Sequence, residues 1–215
     1  FNVVAPTSSG ITKPSDLKGK RIGVYSLSSG TRQNLQVLLH QVGLSEKDVT
    51  IEVTGLLNFA PVMQGQVDAT AATDTGLFVG KAKGLKDFNV IEVRDYLNVP
   101  SDLFVVRREM YESKKPLLRR FLRAYKASAA WMIANPEEAA KLAVTRAING
   151  RNEAVNLEII KIRNISTQSE TTRKRGLGHF DMDLLAQGAD TFRGLGLIGK
   201  SIDIEHVVKS DLIPE

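Results

Sequence analysis

Apolar and polar positions near the start of the chain follow a pattern that predicts a strand, a turn and a helix in succession. Residues 22–27 form a short apolar run with Gly19 and Lys20 before it and Ser28, Ser29 and Gly30 after it. Such a run is typical of a buried strand in a parallel sheet. From Thr31 onward apolar residues recur at helical spacing, at Leu35, Leu38, Leu39 and Val42. This spacing predicts an amphipathic helix with one buried face.

The pattern continues to about residue 96 and indicates an α/β fold. Short β-branched or alternating runs predict strands at residues 1–5, 50–54, 67–72 and 89–93, and helical spacing predicts short helices at residues 59–64 and 77–82. Glycines follow several of these segments, as is usual at helix ends and turns. We therefore expect a lobe built on a parallel sheet.

The second half of the chain is mainly helical in pattern. Residues 103–106 are apolar and β-branched and predict a return strand, whereas residues 166–178 are polar and predict a loop. Helices are predicted to begin at Pro116 and at Asn135-Pro136 and to cover residues 156–165, 180–192 and 204–212. Trp131, near the end of the helix that begins at Pro116, is expected in the core.

Two turns of the predicted sheet carry the candidate ligand-binding residues. The first holds Ser28, Ser29, Gly30 and Thr31, and the second holds Thr73 and Asp74, directly after the strand at residues 67–72. Free N–H groups at a positive helix end, with hydroxyls beside them, favour small anionic or polar ligands. Ligands of open α/β sheets bind outside the carboxyl ends of the strands. The same residue types cap ordinary helices, so capping and ligand binding both stay open at these turns.

Composition narrows the classes of function. The 215 residues include no cysteine, which excludes disulfides, thiolate metal sites and cysteine nucleophiles. His40, His179 and His206 lack the spacing of metal ligands, and the glycines after residue 27 match no nucleotide-binding motif. No apolar run approaches the roughly 20 residues that cross a bilayer. The sequence therefore predicts no catalytic residue, no metal, no cofactor and no membrane span.

The formal net charge of +5 raises the question of a nucleic-acid partner. Basic residues cluster between Arg107 and Lys126 and again at Arg173-Lys174-Arg175. Lysine and arginine normally occupy solvated helix faces, and no aromatic residues alternate with them as in single-strand binders. We expect no nucleic-acid partner.

Several short motifs, taken in order, resemble those of one family of transport proteins. They are Asp16-Leu17-Lys18-Gly19-Lys20-Arg21-Ile22-Gly23-Val24, the turn from Ser28 to Thr31, Gly43-Leu44, Asp48-Val49, Gly65-Gln66-Val67-Asp68-Ala69 and Asn135-Pro136-Glu137-Glu138-Ala139. Together they resemble the solute-binding proteins of ABC importers, in the nitrate/sulfonate/taurine and thiamine-pyrimidine (NMT1/THI5-like, SsuA-like) group.

The resemblance implies a type II periplasmic-binding-protein fold, here a parallel-sheet lobe with a helical C-terminal return segment. It further implies that residues 16–96 form the second lobe and that residues 1–15 and 97–215 supply the inter-lobe crossings, part of the first lobe and the C-terminal helices. The N-terminal half-lobe of that family is then missing from this chain. Asp68 belongs to a strand motif whose role in the family is mainly structural.

The function that the resemblance implies is extracytoplasmic solute binding without catalysis. A small anionic or heterocyclic ligand would be captured in an inter-lobe cleft by Ser28, Ser29, Gly30, Thr31, Thr73 and Asp74 and delivered to an ABC transporter permease. The protein would be periplasmic or lipid-anchored. The alternatives are a TRAP-type (TAXI) binding protein and a thiamine-pyrimidine biosynthesis enzyme; the enzyme group carries a cysteine-rich motif that this chain lacks.

Overall fold

The computed structural model describes residues 1–55, 59–100, 102–146, 148, 150 and 152–214. The chain divides into two compact units. Unit 1 comprises Phe1–Val99 and Ala186–Ile202, and unit 2 comprises Pro100–Leu185 and Asp203–Glu215. The lobe boundaries that follow from the resemblance, 16–96 against 1–15 with 97–215, stay a prediction.

Unit 1 is an α/β unit, as its sequence pattern predicts. Its strands are β1 (Asn2–Pro6), β2 (Arg21–Val24), β3 (Thr50–Val53), β4 (Ala69–Ala72) and β5 (Phe88–Glu92), and its helices are α1 (Gly30–His40), α2 (Ala60–Met63) and α3 (Asp74–Ala82). Short 3-10 turns occupy Thr7–Ser9, Pro14–Leu17, Glu46–Asp48 and Val93–Asp95. β2 ends earlier than predicted, at Val24, because the Ser29 N–H donates to the Ser26 carbonyl and the chain turns there.

The described strands form one mixed sheet in the order β3-β2-β4-β1-β5. β2 runs parallel to β3 and β4, with Gly23 opposite Thr70, whereas β1 runs antiparallel to β4 and β5, with Asn2 opposite Ala72. The prediction of a lobe built on a parallel sheet is confirmed, with β1 the one described strand that runs opposite to the other four. Because the loop after β1 contains only 3-10 turns, β2 starts at the edge where β1 ends and runs in the opposite direction. The beginning of β1 therefore lies at the edge where β2 and β4 end.

Both faces of this sheet are covered by apolar side chains. The cluster on one face contains Ile22, Val24, Leu35, Leu38 and Ile91, with Phe192 and Leu195 of the later segment packed against it. The cluster on the other face contains Val4, Phe59, Val62, Leu77 and Leu85. Helix α1 thus covers one face and α2 and α3 cover the other, as in other doubly covered α/β sheets.

Unit 2 is helical. The helices that follow the sheet are α4 (Arg108–Ser113), α5 (Lys115–Ala134), α6 (Pro136–Arg146), α7 (Glu153–Thr167), α8 (Glu170–Arg175), α9 (Met182–Gly194) and α10 (Ile204–Val207), with α9 crossing from unit 2 into unit 1 along the chain. Three predictions are wrong here. Residues 103–106 have no strand partner and no regular structure, residues 166–178 contain α8, and the last helix ends at Val207.

Helix α5 has the predicted apolar face, but none of its side chains is fully buried. Phe121, Tyr125 and Phe104 form an aromatic cluster with edge-on contacts from Phe104 to the other two rings, at centroid distances of 5.4 and 4.8 Å. Trp131 is 44% exposed, so its predicted place in the core is wrong. Across the described residues, no helix combines the length and hydropathy that a membrane-spanning helix needs.

Candidate ligand-binding site

The turn between β2 and α1 is held by the hydroxyl of Ser29. Ser29 is the N-cap of α1, and its Oγ accepts from the Arg32 N–H at 3.4 Å and from the Ser26 N–H at 3.2 Å. The same oxygen lies 2.7 Å from the Ser26 carbonyl, to which it donates. The Ser29 hydroxyl is therefore engaged in building the turn, as expected of a serine cap.

Thr31 is also part of the internal bonding of this turn. Its side chain is buried, and Oγ1 accepts from the Tyr25 N–H at 3.2 Å and lies 2.8 Å from Ser29 Oγ. Ser28 is exposed, and its hydroxyl contacts only the Ser26 hydroxyl, at 3.4 Å, within the described part of the chain. The Ser28 hydroxyl is thus the one most available to a ligand.

Backbone N–H groups at the start of α1 are available as well. Among the described residues, the N–H groups of Gly30 and Thr31 have no hydrogen-bond partner, since the first N–H groups of any helix lack an intrahelical acceptor. Gly30 lies against the ring of Phe1, and a Cβ built at Gly30 would stand 3.1 Å from Phe1 Cζ. The close approach of Phe1 explains why glycine occupies this position.

Arg32 and Glu46 fix the turn to the rest of unit 1. Arg32 Nη1 donates to the Leu27 carbonyl at 2.8 Å, while Nε and Nη2 donate to the two carboxylate oxygens of Glu46, each at 2.7 Å. Gln36 donates to the same carboxylate at 3.0 Å. Burial raises the pKa of Glu46, but the hydrogen bonds from Arg32 and Gln36 and the Arg32 charge outweigh it and hold the pKa below its ordinary value. This bidentate pair gives the loop a defined position.

The second candidate turn lies between β4 and α3. Thr73 is the N-cap of α3, and its Oγ1 accepts from the Gly76 N–H at 3.0 Å. Asp74 is the first residue of the helix, and its Oδ1 accepts from the Thr75 N–H at 2.7 Å. The sequence leaves capping open for both residues of this turn; Thr73 is the cap, because it has the extended backbone of one, and Asp74 already belongs to the helix.

The sheet register brings the two turns together. Ser26 and Thr73 each lie three residues beyond the paired residues Gly23 and Thr70 of the parallel strands β2 and β4. Neighbouring strands are about 4.8 Å apart, so the two turns emerge side by side at one edge of the sheet. The positive N-terminal ends of α1 and α3 also lie at this edge, where they favour negative or electron-rich groups.

Asn2 also lies at this edge, and the sequence-based prediction missed it. It is 2% exposed, and neither its Oδ1 nor its Nδ2 has a hydrogen-bond partner. The signal in the sequence is a polar residue at the start of the apolar strand Asn2–Pro6. The signal was weak, since only the antiparallel pairing of β1 brings its first residue to the edge where β2 and β4 end.

The described residues include two concavities away from the candidate turns and no cluster of side chains suited to a metal ion. No group of three or more histidine, cysteine, aspartate or glutamate side chains in the described ranges could hold a metal ion. A concavity of about 210 Å³ in unit 1, lined by Pro6, Val62 and Lys86 among others, lies near the end of β1, at the opposite edge of the sheet from Asn2. A second, of about 270 Å³, lies in unit 2 between α5 and α8. Neither includes the candidate residues.

Solved structures with a similar fold include sulfonate-binding proteins. The aliphatic sulphonate binding protein SsuA of Escherichia coli is 20% identical, with a TM-score of 0.73 over 97% of this chain and 64% of its own. The alkanesulfonate-binding protein SsuA of Xanthomonas axonopodis pv. citri, solved with MOPS, is 21% identical, with a TM-score of 0.67 over 97% and 68% of the two chains. These likenesses show the periplasmic-binding-protein fold.

Two sequence relatives and a family match complete the comparison. The riboflavin-binding protein RibY of Chloroflexus aurantiacus is 25% identical over 93% of this chain, and a putative thiamine biosynthesis protein of Haemophilus influenzae is 27% identical over 72% of it. The chain spans 57% and 49% of the lengths of these relatives. Residues 1–139 match the family described as NMT1/THI5 like. Because that match covers more than half of the chain, the protein belongs to the NMT1/THI5-like family.

Proposed function

We propose that this protein is the solute-binding component of an ABC importer, which captures a small ligand outside the cytoplasm and delivers it to a membrane permease. Membership of the NMT1/THI5-like family supports this role, as does the likeness in fold to the two SsuA proteins. In this proposal the protein is periplasmic or lipid-anchored and performs no chemistry on its ligand. Residues 16–96 would be one lobe of the binding protein.

The main support for the proposal is that the N-termini of α1 and α3 lie side by side at one edge of the sheet. There the N–H groups of Gly30 and Thr31 and the exposed hydroxyl of Ser28 are available as donors, while Ser29 and Thr73 are engaged as caps. Thr73 and Asp74 stand on the neighbouring turn. This arrangement supports binding of a small anionic or heterocyclic ligand through backbone and hydroxyl groups.

The ligand class has support from both sets of relatives. The SsuA proteins are named for sulfonates, and one was solved with MOPS, whereas RibY is named for riboflavin. A sulfonate would accept hydrogen bonds from the helix N-termini, and a heterocycle would use the hydroxyls as well. Titrations with riboflavin and with ethanesulfonate therefore separate the two classes.

A thiamine-pyrimidine biosynthesis enzyme is the second candidate function. It is favoured by the similarity to the putative thiamine biosynthesis protein of Haemophilus influenzae. A TRAP-type (TAXI) binding protein, considered from sequence, gains no support from the relatives described above. Genes for an ABC ATPase and permease beside this gene would favour the importer over both.

The proposed function is tested by calorimetric titration of the full chain with each ligand, for the unmodified protein and for Ser28→Ala and Ser29→Ala. Ser28→Ala should weaken binding about fivefold to tenfold with a change of less than about 0.5 kcal/mol in the free energy of unfolding. Ser29→Ala should lower the free energy of unfolding by about 1 kcal/mol because it removes the cap of α1. Ligand recovered after incubation should be chemically unchanged by mass spectrometry. Conversion of either compound would contradict the proposal, as would absence of binding by both of them and by 4-amino-2-methylpyrimidine.

A further inference from the structure

The amide of Asn2 is an exception among the buried polar side chains of unit 1. The hydroxyls of Thr31 and Thr70 are bonded, with Thr70 Oγ1 donating to the Gly23 carbonyl at 3.4 Å. In the described residues of unit 1, only Asn2 has buried side-chain polar atoms with no partner, and both atoms of its amide are in this state. Buried polar groups are nearly always hydrogen-bonded, so an amide that lacks both bonds requires an explanation.

The strand register places this amide beside the second candidate turn. Asn2 is opposite Ala72 of β4, the residue that precedes Thr73, and opposite Glu92 of β5. Directly opposed residues share a face, and alternation puts Val4 on that face as well. Val4 and Ala72 belong to the apolar cluster that includes Leu77 of α3. Asn2 therefore faces the side of the sheet that α3 covers, at the level where that helix begins.

Phe1 occupies the corresponding position on the other face. Its ring contacts Gly30 at the start of α1, and its carbonyl accepts from the Val93 N–H at 3.1 Å. Phe1, which precedes β1, and Asn2, the first residue of β1, therefore lie at the starts of the two helices. The apolar ring of Phe1 lies on the face that α1 covers, and the unpaired amide of Asn2 lies on the face that α3 covers.

We propose that the Asn2 amide is a ligand contact and selects heterocycles that carry a hydrogen-bond donor next to an acceptor over simple anions. The inference rests on the proposed solute-binding function. An asparagine amide offers one acceptor oxygen and one NH2 donor. A sulfonate or nitrate only accepts, so it would leave Oδ1 of Asn2 without a partner. An imide N–H beside a carbonyl, or a ring nitrogen beside an amino group, satisfies both atoms at once.

The discrimination follows from the cost of leaving a buried polar group unpaired. Sites built to bond a particular donor reject analogues that lack it, because the protein group is then buried without a partner. Both Asn2 atoms are shielded from solvent, so a ligand reaches them only when neighbouring side chains move aside. Without a ligand, the unpaired amide raises the free energy of the folded protein. A ligand that bonds to both of its polar atoms removes this cost.

The test compares ligand affinity and thermal stability in Asn2→Leu, which keeps the branching of the side chain and removes its polar atoms. Asn98→Leu is the matched control, since Asn98 is exposed and lies in the same unit. The probes are riboflavin, 4-amino-2-methylpyrimidine and ethanesulfonate, titrated by calorimetry on the full chain. Asn2→Ala serves as a second variant should the leucine not be accommodated.

We expect a heterocycle to bind the unmodified protein and Asn2→Leu or Asn2→Ala to weaken that binding at least about tenfold, or 1.4 kcal/mol. Ligand-free Asn2→Leu should melt about 2–4 °C higher than the unmodified protein, because an unpaired amide is replaced by an apolar group. A merely structural asparagine would give the opposite shift in Tm. Asn98→Leu should change neither quantity.

Three other outcomes have separate meanings. Equal heterocycle affinity in the unmodified protein and in both Asn2 variants overturns the inference and leaves the solute-binding function standing. Binding of ethanesulfonate alone also overturns it, since the ligand would then be a simple anion. Absence of binding by all three probes contradicts the proposed function and removes the inference with it.

Discussion

Gly80 lies within α3 with the ring of Phe59 against its Cα. A Cβ built at Gly80 would stand 2.9 Å from Phe59 Cγ and 3.0 Å from Cδ2. Glycine to alanine normally favours a helix by about 1 kcal/mol, but overpacking a buried contact costs about 1–3 kcal/mol. We predict that the packing cost prevails and that Gly80→Ala lowers the free energy of unfolding, measured by urea titration.

Gly199→Ala is the control for that substitution, since a Cβ at Gly199 meets no atom within 4 Å and its φ is not positive. This variant should unfold at the same urea concentration as the unmodified protein. A Gly80→Ala protein that is more stable than the unmodified one would mean that Phe59 moves aside at little cost. It would also mean that α3 is packed less tightly against the sheet than the structure shows.

The hydroxyls of the first candidate turn illustrate what a sequence can predict at the scale of residues. Serine, glycine and threonine at residues 28–31 correctly indicate a helix start, because these residue types are favoured at helix N-caps. The sequence does not indicate that the hydroxyls of Ser29 and Thr31 are engaged in the turn while that of the exposed Ser28 contacts only the Ser26 hydroxyl among the described residues. That division depends on the angle at which β2 leads into α1. Asn2 was missed for a related reason, since its surroundings come from strands distant in sequence.

At the scale of elements, the ion pair of Arg32 and Glu46 links α1 to the 3-10 turn before β3. The side chains are 30% and 26% exposed, so solvent screens the pair only in part. Glu46→Gln should lower the free energy of unfolding at pH 7 by about 1–2 kcal/mol, because it removes the charged acceptor of three hydrogen bonds. Urea titration at a series of pH values measures this difference.

The difference in unfolding free energy between the unmodified protein and Glu46→Gln should become smaller as the pH falls. The pKa of Glu46 is lower in the folded protein than its ordinary value, so its contribution is complete above the unfolded pKa of about 4.3 and is lost as the pH falls through the folded pKa. The gap in unfolding free energy between Glu46→Gln and the unmodified protein should therefore narrow as the pH falls below the unfolded pKa and close once the pH lies below the folded pKa. The exposed Glu112→Gln should show no such closing gap. A gap that is constant with pH would mean that the Glu46 charge contributes nothing.

The elements themselves were predictable where an apolar period or a helix-start motif is clear. All strands of unit 1 and helices α1 and α5 were predicted near their observed positions because each has a clear apolar face or run, and α6 was predicted from Asn135-Pro136 at its start. The strand at residues 103–106 was wrong, since a β-branched run makes a strand only beside a partner strand. Helix α8 was missed because its residues are polar, although Ser169 and Thr172 form a capping box there.

At the scale of the whole molecule, the two units differ in how far they bury their apolar residues. Unit 1 encloses two clusters of buried side chains around its sheet. In unit 2 the buried apolar side chains of the described residues are Ala139, Ala140 and Leu212, and Phe121 remains 51% exposed. Amphipathic period alone predicted a buried face for α5, and it could not indicate what would cover that face.

The candidate site lies wholly in unit 1, which leads to a prediction for the whole chain. Hydrogen exchange with and without saturating ligand should show the greatest protection at residues 25–31 and 73–77, the two turns and the first turns of their helices. Donors without an intrahelical partner exchange freely in the absence of ligand, and a bound acceptor slows them. Helices α6 and α7, which pack on each other in unit 2, supply the reference peptides and should change little. At a ligand concentration of about 100 times Kd, the free energy of unfolding should be about 2.7 kcal/mol higher than without ligand. Protection confined to α6 and α7 would place the ligand in unit 2 and contradict the site at the sheet edge.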